Sequence, residues 1–349
     1  MRLKVVAGNL IERLVLKLNA VPEPLLETQV AFSMARAIMT AVEFGLFEAV
    51  ADAPAPAASI AAHCGTHPGA TGKLLNTLAG CGYVRYRDGG YALTPKSRKW
   101  LLRRSPHNLC DKLLFQLHEW DLVTGYEHFV RTGEPYGPHA ASGDHRYWQI
   151  YQRGMRSLAA LWAHDVAARV PMPRAARDML DIGGSHGYYS VCLCRRHPAL
   201  SSVILDLPEA VEHARAILAE EGMGERVTHR VGNALTDDLG QDTADIVFMS
   251  QLVHHFTDEQ NRMLMKKIAR ALRPGGVCVM LDSVSPTEPG RGDQTAAVLD
   301  LYFAMLSESG TWPVETMCAW LADAGLEPLP PRRFRNMPGG ALVAGRKSA

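Results

Sequence analysis

The chain has 349 residues, of which 47% are hydrophobic and 21% are charged, and its formal net charge is only +1. This length allows two ordinary domains whose core needs no disulfide or metal. The composition excludes a disordered chain, and the near-neutral charge gives no indication of a nucleic-acid partner. The seven cysteines are scattered and form no CxxC pair, which predicts reduced thiols in the cytoplasm.

The N-terminal segment MRLKVVAGNLIERLVLKLNA interleaves charged residues among apolar ones. It lacks the unbroken apolar stretch of a signal peptide and is too short to span a bilayer. Neither export nor a membrane partner is therefore predicted. The spacing of Leu10, Leu14, Val15 and Leu18 predicts an amphipathic helix that packs on a neighbour or on a second subunit.

Residues from Leu25 to about Trp100 show a winged-helix pattern, in which short helices precede the alternating runs YVRYR and YALT. The glycines between these runs accept the positive φ of a tight hairpin turn. The helix before the wing offers only Lys73 and Asn76 for phosphates and bases, which favours packing over DNA binding. A winged-helix regulator with a ligand-sensing C-terminal domain stays open as an alternative. The apolar helices exceed what this small core can bury, which predicts a homodimer.

The rest of the chain predicts an α/β fold. Residues 106–175 are largely helical and rich in aromatic residues, and we expect them to bridge the two halves and to wall a pocket. From Arg177 onward strands and helices alternate, which predicts a mostly parallel sheet with helices on both faces. LEPLPPRRF and ALVAGRK, separated by residues 336–340, predict a terminal hairpin at the sheet edge. The predicted domains are residues 1–105, 106–175 and 176–349.

A glycine-rich motif, DIGGSHG, begins at Asp181, follows an apolar strand and opens a helix. Glycine lets the backbone turn tightly and approach a ligand at the carboxyl end of the strand. Asp206 ends the next strand, SVILD, and can accept hydrogen bonds from both hydroxyls of a ribose. The motif thus predicts a nucleoside cofactor. The glycines alone also fit a dinucleotide, but the D-x-G-G-x-x-G loop and the terminal hairpin favour S-adenosylmethionine.

Several motifs in sequence order carry a family resemblance: DIGGSHG, VILDLP, VGNAL, FMSQLVHHFTDEQ and LRPGG. They resemble the plant caffeate-type and bacterial natural-product O-methyltransferases, whose linker motif is similar to YQRGM at 151–155 and whose dimerisation domain is similar to the winged-helix half. The resemblance extends from about residue 20 to the end. It implies a Rossmann-like class I methyltransferase sheet, S-adenosylmethionine and a small-molecule acceptor. The implied cofactor-binding residues are Asp181, Gly183, Gly184, Gly187, Asp206, Leu207, Asn233, Ala234, Ser250 and Gln251.

The sequence departs from the family pattern at three places. Asn233 and Ala234 stand where the family usually has Asp and Met, and Ser250 replaces a lysine. The family's second catalytic glutamate falls close to Trp312, with Glu308 four positions away. This departure leaves a phenol-type acceptor open, because Trp312 suits either a larger apolar acceptor or an ordinary core position.

Methyl transfer from a sulfonium is an in-line displacement that depends mostly on positioning, and a neutral histidine can remove the acceptor's proton. His254 and His255 follow the strand ADIVFMSQLV, at the edge where such sheets place their active sites. The resemblance assigns His254 as the base and Asp282 as its orienting carboxylate. His255 is interpreted as non-catalytic, and C- or N-methylation and a non-methylating member stay open.

A metal site at the adjacent histidines is disfavoured, because neighbouring side chains diverge on most backbones and no third ligand is spaced to join them. The acceptor pocket is expected to be apolar. Its predicted residues are Phe115, Trp120, Tyr147, Trp148, Met155, Tyr302, Phe303, Met305 and Trp312.

Overall fold

The computed structural model describes residues 4–136, 145–286, 288, 290, 294–307 and 309–349. The chain divides into two compact units, residues 2–120 and residues 121–349. Glu308 lies outside the described residues. The predicted domain bounds at residues 105 and 175 stay predictions.

The first unit is mostly helical and carries one hairpin. Its helices are α1 (Leu10–Lys17), α2 (Glu23–Leu25), α3 (Ala31–Glu43), α4 (Ala57–Cys64), α5 (Pro68–Gly80), α6 (Pro95–Trp100) and α7 (Cys110–Leu122), with a π-helical turn at Leu26–Val30 and a 3-10 turn at Glu48–Val50. Strands β1 (Val84–Arg87) and β2 (Gly90–Leu93) pair antiparallel. Asp88 and Gly89 form the turn between them with φ of 51° and 79°, as a two-residue hairpin requires. The predicted wing is confirmed.

The apolar side chains of this unit divide into a core and an exposed set. Phe47, Leu75 and Leu78 are buried in a single cluster. The predicted N-terminal helix is present as α1, begun by Asn9, whose side-chain oxygen accepts the Glu12 amide. Val15 and Leu16 in this helix are half-buried. Other apolar residues from α1 to α3 remain exposed: Leu10, Ile11, Leu14, Leu18, Leu25 and Phe32.

The second unit alternates strands and helices, as predicted. Its helices are α8 (Tyr126–Thr132), α9 (His145–Ala159), α10 (Ala163–Ala167), α11 (Tyr188–Arg196), α12 (Pro208–Glu220), α13 (Asp258–Ala271), α14 (Gln294–Leu306) and α15 (Val314–Asp323). Its strands are β3 (Asp178–Ile182), β4 (Ser201–Asp206), β5 (Val227–Val231), β6 (Ala244–Ser250), β7 (Leu272–Ser283), β8 (Leu326–Phe334) and β9 (Met337–Lys347). Short 3-10 turns lie at Val123–Gly125, Gly224–Arg226 and Val253–His255.

Within the described residues the sheet of this unit has seven strands in the order β5-β4-β3-β6-β7-β9-β8. Strands β3 to β7 are parallel, and β9 pairs antiparallel with both β7 and β8. The α/β class and the terminal hairpin are confirmed. The hairpin turn is shorter than predicted, because β9 already starts at Met337 and Gly340 pairs with Ser283.

Helices cover both faces of the sheet, and each face has its own apolar cluster. The carboxyl ends of β3, β4 and β6 are neighbours, because β3 lies between β4 and β6. The loops that follow these strands therefore meet at one edge. None of the described helices has the length and apolar character needed to cross a membrane.

Candidate active site

A cavity of about 300 Å³ opens at this edge of the sheet. The loops after β3, β4, β5 and β6 form its walls, and helix α9 contributes Trp148, Tyr151 and Gln152. Its size and mixed lining are typical of a small-molecule site. Predicted cofactor residues in the lining are Gly183, Asp206, Leu207, Asn233, Ala234 and Gln251.

Asp206 presents its carboxylate to this cavity from the end of β4. One carboxylate oxygen accepts the Ser185 amide at 2.9 Å and the other accepts the Leu207 amide at 2.8 Å. Burial raises the pKa of Asp206 to about 6, and the two amides offset part of this effect. Each oxygen retains a second lone pair, so the carboxylate can still accept hydrogen bonds from a ribose.

The glycines of the loop after β3 have packing reasons that the sequence did not reveal. A Cβ on Gly184 would lie 2.5 Å from the Asp181 carboxyl group, and one on Gly187 would lie 2.6 Å from Ile204. Gly183 has a φ of 67° and would meet Leu252. A tight turn and close approach to a ligand were the reasons predicted, and Gly184 and Gly187 also make room for protein side chains.

Asp181 lies beneath the loop and outside the cavity lining. Its side chain is buried and accepts the Ser190 hydroxyl at 2.6 Å. Burial raises the pKa of Asp181 to about 7, and the nearby charge of Asp206 adds to the increase. Ser250 also lies outside the lining. Both residues stay predictions as cofactor ligands.

The loop after β5 is held in place by its own side chains. The Asn233 side-chain oxygen accepts the Leu235 amide at 3.0 Å, and Asp237 accepts the Asn233 amide at 2.9 Å. Lys267 donates to the carbonyl groups of Ala234 and Leu235 at 2.7 and 3.0 Å. This loop therefore offers the cavity a fixed wall, to which Ala234 and Leu235 contribute.

His254 and Asp282 form a buried pair at the ends of β6 and β7. Nδ1 of His254 lies 2.7 Å from Oδ1 of Asp282. The same carboxylate also accepts the amides of Leu252 and Val253 at 3.1 Å and of Ser283 at 2.8 Å. A carboxylate only accepts hydrogen bonds, so Nδ1 carries the proton and Nε2 carries the lone pair.

The His254 ring also stacks on Phe303 of α14, with ring centroids 3.9 Å apart and planes at 29°. The centroid of the His255 ring lies 4.3 Å from that of His254. The expectation that the two adjacent histidines diverge is thus wrong, because the 3-10 turn at Val253–His255 brings their rings together. No group of His, Cys, Asp or Glu suited to a metal ion occurs among the described residues.

The carbonyl groups of the turn that carries His254 are bound by side chains from two other segments, α13 and residues 307–312. Asn261 donates to the carbonyl groups of Val253 and Phe256 at 2.9 and 3.1 Å. Trp312 donates to Val253 at 3.2 Å, and two hydroxyl groups, Ser307 and Ser309, donate to the His254 carbonyl. We call these four side chains, Asn261, Ser307, Ser309 and Trp312, the carbonyl clamp.

Comparison with known proteins places this geometry in a family. Residues 108–324 match the model of the O-methyltransferase domain, and residues 26–103 match the O-methyltransferase dimerisation domain. The chain belongs to the O-methyltransferase family. It is an enzyme, and S-adenosylmethionine is the methyl donor in this family.

Relatives of this O-methyltransferase come from bacteria and animals. The chain is 27% identical to the 3-hydroxy-5-methyl-1-naphthoate 3-O-methyltransferase of Streptomyces sahachiroi, over 89% of this chain and 91% of the relative. It is 26% identical to the N,N-dimethyltransferase OxyT of Streptomyces rimosus, over 93% and 96%. Human N-acetylserotonin methyltransferase in complex with SAM has the same fold, with a TM-score of 0.82, 18% identity and coverage of 99% and 100%.

The cavity of this O-methyltransferase fits the methyl donor. Asp206 offers a carboxylate that can accept hydrogen bonds from a ribose, and Leu207 and Ala234 give the cavity apolar walls. The assignment of these residues to parts of the cofactor stays a prediction. A buried amide donor, Nε2 of Gln152, has no hydrogen-bond partner among the described residues. A polar ligand would satisfy it.

The predicted acceptor residues fall into separate groups. Trp148 lines the cavity, whereas Tyr147 is buried and stacks on Tyr151 with centroids 6.1 Å apart. Met305 is fully buried, and Met155 is half-buried. Phe303 packs on His254, with Tyr302 edge-on to it at 5.7 Å. Phe115 and Trp120 belong to the first unit. All these acceptor assignments stay predictions.

Trp312 has a structural environment that explains the departure from the family pattern. Its ring packs edge-on to Trp320 with centroids 5.2 Å apart, and it is part of the apolar cluster on that face of the sheet. Its indole nitrogen binds the turn of His254. The core alternative named for Trp312 therefore describes its packing, with the carbonyl clamp as an added role.

Sequence reasoning missed several contributors to the cavity, among them Gln152 and His255. Gln152 belongs to YQRGM, which was assigned only as a linker motif, although a buried glutamine within it is a signal for a polar contact. His255 lines the cavity directly. Its contact follows from the 3-10 turn, which no sequence pattern indicated.

Proposed function

We propose that this enzyme methylates a hydroxyl group of a small aromatic secondary metabolite, with His254 as the general base. The observation that carries the proposal is the buried pair of His254 and Asp282 at the strand ends beside the cavity. This pair holds one imidazole tautomer and leaves Nε2 for an acceptor hydroxyl.

S-adenosylmethionine supplies an electrophilic methyl group when bound. His254 Nε2 accepts the proton of the acceptor hydroxyl as that oxygen becomes nucleophilic. Asp282 accepts a hydrogen bond from Nδ1–H and stabilises the resulting imidazolium, which later releases the Nε2 proton to solvent. Phe303 keeps the ring in its plane by stacking, and the carbonyl clamp fixes the turn beneath it. Positioning supplies the remainder of the rate enhancement.

An aromatic hydroxyl is the acceptor that the relatives and the lining favour. The Streptomyces sahachiroi relative is named for methylation of a hydroxynaphthoate. Trp148, Tyr151 and Phe256 give this cavity aromatic walls, which suit a flat apolar acceptor. An amine acceptor is the second candidate, because OxyT is named as an N,N-dimethyltransferase.

The first unit is proposed to form a homodimer in the cytoplasm. Its match to a dimerisation domain agrees with the exposed apolar residues of α1 to α3, since such a surface normally enters a two-fold interface. Light scattering should give about twice the 38.2 kDa of one chain. A mass of one chain at micromolar concentration would contradict the dimer.

Mass spectrometry tests the activity directly. The enzyme is incubated with S-adenosylmethionine and either 3-hydroxy-5-methyl-1-naphthoate or the corresponding 3-amino compound. We expect a methylated product from the hydroxy acid and little or none from the amine. Product from the amine alone would replace O-methylation by N-methylation, and product from neither would contradict an acceptor of this class.

A further inference from the structure

Gln152 is the buried polar group of the cavity whose function the reaction above does not use. Its side chain is fully buried and lines the cavity. Its Oε1 accepts a short hydrogen bond from the Ser185 hydroxyl. This bond fixes the orientation of the amide and leaves Nε2 as its donor. Within the described part of the chain, Nε2 has no partner. A buried amide donor without an acceptor is costly, so a ligand is expected to provide one.

The position of this donor is fixed from two sides. Ser185 donates its amide to Asp206 and its hydroxyl to Gln152, so the ribose-binding carboxylate and the free amide are joined through one residue. Helix α9, which carries Gln152, is bound to the end of α12 by Arg153–Glu220 at 2.8 Å and Arg156–Glu221 at 2.6 Å. Such pre-organisation reduces the entropy lost when a ligand binds.

The chemistry of the cavity indicates which part of the cofactor needs this donor. Asp206 is an acceptor and suits hydroxyl groups, and the Asn233 loop offers apolar walls to a base. The amino-acid end of S-adenosylmethionine carries a carboxylate, which requires donors. None of the residues lining this cavity is Lys or Arg. Apart from the imidazole of His255, the donors that the lining offers are neutral groups such as the Gln152 amide, and a charged acceptor makes their hydrogen bonds strong.

We propose that Nε2 of Gln152 binds the carboxylate of the amino-acid end of S-adenosylmethionine. This inference rests on the proposed cofactor site and adds a residue to it. Gln152 is a binding residue with no part in proton transfer. Its removal should therefore weaken the binding of ligands that have the amino-acid end and leave the binding of ligands without it unchanged.

Calorimetry with two ligands tests this proposal. S-adenosylhomocysteine has the amino-acid end, whereas 5′-methylthioadenosine keeps the adenine, ribose and sulfur but lacks it. Gln152→Glu keeps the acceptor for Ser185 and replaces the donor by an anion. At pH 8 we expect its affinity for S-adenosylhomocysteine to fall about tenfold to a hundredfold. Its affinity for 5′-methylthioadenosine should stay within about twofold of wild type.

Two further variants keep the test decisive. Gln241→Glu makes the same change of charge at an exposed position and should bind both ligands like wild type. Gln152→Met preserves side-chain length without charge. It should also lose affinity for S-adenosylhomocysteine but not for 5′-methylthioadenosine, and it serves as the test if Gln152→Glu does not fold.

The other outcomes are distinct. Equal losses for both ligands would place Gln152 at the ribose or in loop support and overturn the proposal, as would unchanged or tighter binding of S-adenosylhomocysteine. Failure of the wild-type enzyme to bind either ligand would instead contradict the cofactor site itself.

Discussion

The two sides of the active site differ in how completely their polar groups are satisfied. On the base side, Asp282 binds His254 and three backbone amides, and the carbonyl clamp binds the same turn. On the cofactor side, Gln152 of the cavity lining keeps a buried donor without a partner among the described residues, and on the base side Oδ1 of Asn261 has none either. The His254–Asp282 pair itself is therefore pre-organised by the protein alone, whereas the Gln152 donor faces a cavity in which a ligand can satisfy it.

The largest effect on the rate of methyl transfer is expected for His254→Ala, because His254 takes part in the reaction and not in cofactor binding. Removal of a positioned base costs about 10²–10⁴ in rate, so His254→Ala should lose single-turnover methyl transfer to the hydroxynaphthoate at that scale. The measurement covers pH 6 to 9. A rate within a few-fold of wild type would show that positioning alone is sufficient.

Asp282→Asn in the same assay sharpens this assignment. It should lose less rate than His254→Ala, and the double variant should be little slower than His254→Ala, because the carboxylate acts through the base. The structure adds that Asp282 also holds the amides of Leu252 and Val253, so the variant should unfold at lower denaturant concentration as well. Additive rate losses would show instead that Asp282 and His254 act independently.

Asp206 is the corresponding residue on the cofactor side. Asp206→Ala loses charge-assisted hydrogen bonds to two ribose hydroxyls. Its affinity for S-adenosylhomocysteine should therefore fall by about tenfold to a hundredfold. Glu209→Ala, an exposed acidic residue at the start of α12, is the matched control. Unchanged affinity in Asp206→Ala would remove this residue from the site.

The raised pKa of Asp206 predicts a pH dependence on the cofactor side. Its pKa is about 6, and the protonated carboxyl group accepts hydrogen bonds less well. The affinity for S-adenosylhomocysteine should therefore fall below about pH 6, by up to tenfold per pH unit. Asp206→Asn should bind weakly without this dependence. A profile that stays flat from pH 7 to 4.5 would contradict the role of this carboxylate.

The same pKa shift affects stability with a defined sign. Because the folded state holds this proton more tightly than the unfolded state, the contribution of Asp206 to stability is greatest below the ordinary aspartate pKa of 3.8 and falls as pH rises to about 6. Binding of the cofactor should offset this loss, since a ligand that binds only the folded enzyme stabilises it.

The smallest effect is expected at the carbonyl clamp. Trp312→Phe removes the hydrogen bond to Val253 and keeps an aromatic ring against Trp320. A loss near 1 kcal/mol corresponds to roughly fivefold, so kcat should fall a few-fold with unchanged S-adenosylhomocysteine affinity. Trp100→Phe in the first unit is the control. A loss of affinity without a loss of kcat would contradict a role in positioning the base.

Much of this site was predictable because its residues stand at strand ends. The glycine loop, Asp206, His254 and Asp282 each follow a recognisable strand, and parallel strands bring their ends to one edge. The donor of Gln152 and the indole of Trp312 were not predictable. Their roles depend on contacts between elements far apart in sequence, which hydrophobic patterns do not specify.

The contact between His254 and His255 illustrates the same limit. The sequence indicates two adjacent histidines, and an extended backbone would point them apart. A single 3-10 turn reverses this expectation, and its carbonyl groups are bound by side chains from α13 and from residues 307–312.

Calorimetric titration of S-adenosylhomocysteine shows whether one side of the site binds the cofactor while the other performs the reaction. Wild type, His254→Ala and Asp206→Ala are titrated in parallel at pH 8. We expect His254→Ala to bind like wild type and Asp206→Ala to bind at least about tenfold more weakly. Weakened binding by His254→Ala together with unchanged binding by Asp206→Ala would contradict the account.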